Sequence, residues 1–102
     1  MVSEMEVRHA DNRLQTLEAD PTATGGFPPG VVKAFRKRMQ FIRAARDERD
    51  FYGMKSLRYE KLQGKRSQQH SMRLNDQYRL VLEYEVKSTE KIAVVVGIVD
   101  YH

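Results

Sequence analysis

The sequence predicts one small α+β domain, with helices in its first half and a mostly antiparallel sheet in its second. Three observations carry that reading. Apolar residues recur at helical spacing from Val31 to Arg46, polar and apolar residues alternate between Gln68 and Val86, and an apolar run fills Ile92–Val99. A helical period followed by consecutive strands is the pattern of segregated helices and sheet. A chain of 102 residues has room for a single core.

The elements follow in order. Residues 5–9, Met-Glu-Val-Arg-His, alternate weakly and predict a short strand. Asp11 or Asn12 suits the N-cap of a helix carrying Leu14 and Leu17 and ending near Ala19. Two Gly and three Pro lie between Asp20 and Gly30, which makes that stretch a loop. Pro28-Pro29 then fits a helical first turn, where a missing N–H costs nothing. Val32, Phe35, Met39, Ile42 and Ala45 form one apolar stripe, with Lys33, Arg36, Lys37, Arg43 and Arg46 largely off it. Residues 54–66 read as a connection with Leu57 and Leu62 buried and a turn at Gly64.

The strands are expected after that. In 68–74, Met72 and Leu74 face one way and Ser71 and Arg73 the other, and Asn75-Asp76 supplies turn chemistry. In 78–86, Tyr78, Leu80, Leu82, Tyr84 and Val86 share one face and Arg79, Val81, Glu83 and Glu85 the other. The final run, apolar on both faces, predicts a central strand covered on both sides.

Composition excludes several function classes. Charged residues make up 31% and no apolar run approaches the roughly 20 residues a membrane span needs. The acidic start, Met1-Val2-Ser3-Glu4-Met5-Glu6, lacks the basic and apolar regions of a signal peptide. No cysteine is present, so disulfides and thiolate metal sites are excluded, and a reduced cytoplasmic setting is the default expectation. His9, His70 and His102 are far apart and form no helical metal-ligand pair; there is no P-loop and no GxSxG elbow. No cofactor or metal is therefore expected.

The formal net charge is +4, but it is unevenly spread. Residues 33–79 hold 14 Lys and Arg against five acids, a net of +9, between flanks of −3 and −2. A concentrated positive field attracts polyanions, although a solvated helix face produces the same count.

The polar residues on the strands are the remaining candidates. The apolar strand ends in Asp100-Tyr101-His102. Asp and His together can move protons near neutral pH, and Tyr can stack on a base or donate to a phosphate. A frayed polar terminus is the plain alternative. Arg79, near Lys61, Lys65, Arg66 and Arg73, can clamp a phosphate, or it can be solvated or paired with Glu83 or Glu85. His70 precedes the turn on a facing strand, where a histidine is more often a surface or core residue than a catalyst.

Taken together and in order, these residues resemble a family. Leu62-Gln63-Gly64-Lys65-Arg66, then Ser71-Met72-Arg73-Leu74-Asn75-Asp76-Gln77-Tyr78-Arg79-Leu80, then Asp100-Tyr101-His102 look like the HigB-type toxins of the RelE/ParE superfamily. The Phe35–Ile42 helix after Pro28-Pro29 also fits. The resemblance spans the chain and is densest over 28–102. It implies a RelE-like, microbial-ribonuclease-type fold with two N-terminal helices on one face of the sheet. It also implies a toxin that cuts mRNA in the ribosomal A site without metal, in the cytoplasm. The partners it implies are the ribosome, the mRNA and a HigA-like helix-turn-helix antitoxin, through which operator DNA would be bound. By the same resemblance Arg79 sits on the phosphate, Asp100 and His102 transfer protons, and Tyr101 orients or stacks the nucleotide. Lys61, Lys65, Arg66 and Arg73 would hold RNA backbones, and His70 joins them as an RNA-binding residue.

Two departures stand out. Gln63 occupies a place where the family often has Lys, with Lys61 and Lys65 two residues to either side. His70 stands where the family has an aromatic, suited to stacking or to the proton relay. Two other readings share the fold class: a ParE-like gyrase inhibitor without nuclease activity, and a non-catalytic RNA-binding regulatory domain.

Overall fold

The computed structural model describes residues 5–64, 68–87 and 90–100. Strand β1 (Glu6–His9) leads into helix α1 (Asn12–Ala19), a loop, and helix α2 (Pro29–Ala44). A one-turn helix α3 (Arg49–Gly53) and a 3₁₀ turn (Lys55–Leu57) cross to strands β2 (Glu60–Lys61), β3 (Gln69–Arg73), β4 (Tyr78–Lys87) and β5 (Glu90–Asp100). The sheet order is β1-β5-β4-β3-β2.

The α+β class is as expected, but the sheet is mixed and the chain enters it by a strand rather than by two helices. β1 pairs parallel with β5, and the other three pairings are antiparallel. The physical reason lies in β5. A strand of 11 residues, apolar on both faces, leaves a long row of backbone groups beside β4 that needs a second neighbour. The short β1 supplies it, and the whole chain from α1 to β4 lies between these two parallel strands.

Local chemistry explains the helices. Asp11 caps α1 by accepting from the Leu14 amide (3.1 Å). Pro29 opens α2, and Val31, Val32, Phe35, Met39 and Ile42 are buried along it. With Ala45 they reproduce the expected stripe. Gly25 and Gly26 take positive φ in the loop before α2, which only glycine does freely.

Both helices lie against one face of the sheet, where Met72, Leu80, Leu82, Ala93 and Val95 complete the core. Register then assigns the opposite face: Glu60 on β2, Ser71 and Arg73 on β3, Arg79, Val81, Glu83 and Glu85 on β4, Ile92, Val94 and Val99 on β5. A bulge interrupts β4 and β5 between Val81 and Leu82; Val81 faces Gly97 and Leu82 faces Val95, so Val96 is the extra residue. It resets the alternation for the end of β5.

One local expectation changes. Leu62 is only half-buried, because residues 60–61 form an edge strand rather than a folded-in connection. Val86 keeps its expected face but is exposed, since it lies near the end of β4 beyond Tyr84.

Several cations of the basic block hold the fold together. Arg36 donates to the carbonyls of Leu17, Asp20 and Ala23, tying the α1–α2 loop to α2. Arg43 makes two bonds to Glu18 (2.7 and 2.8 Å), and His9 Nε2 is 2.7 Å from the same carboxylate. That triad joins β1, α1 and α2. The hydrogen bonds from Arg43, opposed by partial burial and helped by His9, hold the Glu18 carboxyl below its ordinary range. Part of the basic block is therefore structural, and Arg36 and Arg43 are engaged within the fold.

Candidate functional site

The site grows from the end of β4. Arg79 sits on the sheet face away from the helices, yet it is only 8% exposed. Burying a guanidinium requires partners for its N–H groups. Nε donates to the Ser71 hydroxyl (2.8 Å), and Nη2 donates to the Arg58 carbonyl (2.5 Å). Glu60 Oε1 lies 3.6 Å from Nη2. Arg79 is therefore neither solvated nor paired with Glu83 or Glu85; its counter-ion comes from β2.

Arg58 makes this geometry possible. Its backbone is left-handed (φ 47°, ψ 47°), and it is the one non-glycine residue with positive φ among those described. The conformation costs about 1–2 kcal/mol for a residue with a Cβ. It ends the 3₁₀ turn and directs its own carbonyl onto Arg79.

A polar cleft of about 190 Å³ opens beside these groups, lined by Arg58, Arg73, Asn75, Asp76 and Arg79. Arg73 is opposite Arg79 in the β3–β4 register and forms an ion pair with Asp76. The Arg73 carbonyl accepts from Arg38 Nε (3.1 Å), which ties the cleft to α2. Partial burial, with the nearby Arg73 charge, lowers the Arg38 pKa from its ordinary value. Three guanidinium groups against two carboxylates, Asp76 and Glu60, leave the cleft net positive and suited to an anion.

The other candidates are distributed differently. Asp100 is exposed and accepts from Gln77 Nε2 (3.1 Å). It is opposite Tyr78, so register puts it on the helix-side face, one step along from Val99 and Arg79 on the other face. Lys65, Arg66, Tyr101 and His102 lie outside the described residues. Lys61 is exposed on β2 opposite His70.

His70 does not join the cleft. Its register partner Leu82 puts it on the helix side, about 10 Å along β3 from Arg73 at 3.3 Å per residue. There it stacks on Tyr59 (5.1 Å, 9°) and meets the Tyr84 ring edge-on (5.6 Å). Tyr59 donates to Glu48 (2.9 Å), the Tyr59 and Tyr84 hydroxyls are 2.6 Å apart, and Lys91 pairs with Glu48 (2.5 Å). Burial pushes the His70 pKa down, opposed by Glu48 and helped by the Lys61 and Lys91 charges. Burial and the shared hydroxyl contact push Tyr59 far up. This cluster braces α3 against the sheet. His70 thus packs on Tyr59 on the helix side of the sheet, away from the cleft.

Sequence reasoning missed Arg58, Ser71 and Glu60 as parts of the site. Ser71 and Arg79 were both legible on the non-core face. Their contact, and the turn that brings Arg58 and Glu60 to them, depend on pairing between distant strands.

Comparison with known proteins fits this architecture. Residues 7–102 match the family described as "RelE-like toxin of type II toxin-antitoxin system HigB". The chain belongs to that family of HigB-like toxins. A type II toxin has an antitoxin protein as its partner, so an antitoxin is the partner of this chain. The fold is also similar to that of a "YoeB/ParE toxin from Agrobacterium tumefaciens", with a TM-score of 0.57 at 14% identity. That likeness covers 96% of this chain and 99% of the other. No curated protein matches the sequence. Among the described residues of this HigB-like toxin, no helix is long and apolar enough to cross a membrane.

Proposed function

We propose that this HigB-like toxin is a ribosome-dependent endoribonuclease that cuts mRNA in the A site and so stops translation. The observation that carries the reading is the cleft in which Arg58, Arg73 and Arg79 converge at the end of β3 and β4. Cleavage by the substrate's own 2′-OH needs positive charge on the phosphorane, a base and an acid, and no metal. Arg79, whose direction is set by Ser71 and Arg58, would hold the scissile phosphate.

The 2′-OH loses its proton to a base and bonds to phosphorus. The P–O5′ bond breaks, O5′ takes a proton from an acid, and the products are a cyclic phosphate and a free 5′-OH. Asp100 and His102 are proposed for the proton transfers and Tyr101 for orienting the nucleotide. Glu60 competes with Asp100 for the base role, because its carboxylate is on Arg79's own face and 3.6 Å from it. Arg73, with Lys61, Lys65 and Arg66, would hold RNA backbone. The antitoxin is proposed to be HigA-like, with a helix-turn-helix that carries any operator binding, and the site of action to be the cytoplasm.

The test maps mRNA 5′ ends after brief induction. Cuts within translated codons, abolished by Arg79→Ala and His102→Gln in folded protein, are expected. DNA breaks with intact mRNA would instead identify a ParE-like gyrase inhibitor. Harmless overproduction without an antitoxin would identify a non-catalytic RNA-binding domain.

A further inference from the structure

We infer that Arg58 is a second phosphate ligand of the cleft, gripping the RNA backbone next to the phosphate held by Arg79. The inference deepens the proposed function and rests on its reading that the cleft takes RNA. Three observations converge. First, Arg58 lines the cleft beside Arg73 and Arg79. Second, its guanidinium is exposed and has no ion-pair or hydrogen-bond partner among the described residues, whereas Arg73 pairs with Asp76 and Arg79 with Glu60. Third, its backbone holds the left-handed conformation that braces Arg79.

A strained backbone at a non-glycine residue persists where the surroundings over-determine it, and such positions cluster at functional sites. Glycine would adopt this backbone without strain and still offer the carbonyl to Arg79. The brace alone therefore does not require an arginine. What arginine adds is the charged fork, at a cleft already lined by two others. The ligand chemistry is a phosphodiester of single-stranded RNA, contacted without regard to base.

Arg58→Gly separates the two roles, since it keeps the brace and removes the fork. The probe is a short single-stranded RNA 2′-O-methylated throughout, which lacks the attacking hydroxyl and so reports binding alone. Arg58→Gly is expected to weaken its binding about tenfold, the size of one charge-assisted hydrogen bond at an exposed site. The slope of log Kd against log salt should become shallower by about 0.7, one phosphate contact on a single strand. Arg58→Lys should keep the slope. In cleavage of ribosome-bound mRNA, Arg58→Gly should raise KM and leave kcat near wild type.

Wild-type affinity and salt slope in Arg58→Gly would overturn the inference, as would failure of the wild-type toxin to bind the probe. A loss of kcat with unchanged Kd would assign Arg58 to the brace alone and overturn it as well. Absence of mRNA cutting by the wild type, with the Arg58 effect on binding intact, would remove the proposed nuclease function and leave the phosphate contact standing.

Discussion

Ser71→Ala is a small change with a large expected effect. Ser71 is 1% exposed, and its hydroxyl is the acceptor for Arg79 Nε at 2.8 Å. Alanine removes one oxygen and leaves almost no cavity, so the packing loss is minor. A charged N–H, however, is left buried beside a methyl group. The Ser71 carbonyl is a poor replacement, since it is 3.4 Å from Nη2 rather than near Nε. Losing a hydrogen bond to a charged group, with its donor stranded, costs about 2 kcal/mol. For a domain of this length that corresponds to a fall in Tm of roughly 10 °C. The assay is thermal unfolding followed by circular dichroism, beside growth after induction in cells without antitoxin. Both stability and toxicity should fall, and Ser71→Thr, which keeps the hydroxyl, should recover most of each. A Ser71→Ala protein whose Tm lies within about 2 °C of wild type would refute the reasoning, because Arg79 would then need no acceptor at that point.

Three further outcomes are expected. His70 carries a depressed pKa in the folded state, so below its ordinary value of 6.5 the unfolded chain binds the proton more readily. Stability is therefore full above about pH 6.5 and declines as the pH falls below it. The cluster facing it is Glu48, Lys61, Lys91, Tyr59 and Tyr84, and His70→Gln should flatten the pH dependence of the denaturation midpoint in that range. Glu18→Gln leaves Arg43 and His9 with a neutral partner and should cost about 1–3 kcal/mol by urea unfolding, with wild-type RNA binding, because the triad is not part of the cleft. Asp11→Ala removes the α1 cap and should cost about 1 kcal/mol in the same measurement; Asp11→Asn should cost much less.

The division between what was legible and what was not follows the range of the interactions. The α2 stripe, the Asp11 cap and the alternation of β3 and β4 are readable because each depends on neighbours within one or two turns or along one strand. The bulge at Val96 is not, because it records a mismatch between two strands and not a property of either. The same limit applies to charge. Arg36, Arg43 and Arg79 look alike in a list of cations, yet one ties a loop, one joins three elements and one lies buried at the cleft.

By itself, the sequence determined the α+β class, the helical stripe, the absence of cysteine chemistry and the HigB-like resemblance, all of them features of composition, period or order. Only the tertiary structure decided which face each polar residue shares. Register brings Arg79, Ser71 and Glu60 together, sends His70 inward to stack on Tyr59, and separates Arg79 from Asp100 across the sheet. Side-chain direction along a strand has period two, so a single bulge or a one-step change of partner exchanges the faces. That is why local pattern identifies the residues of the site, and strand pairing decides which of them meet.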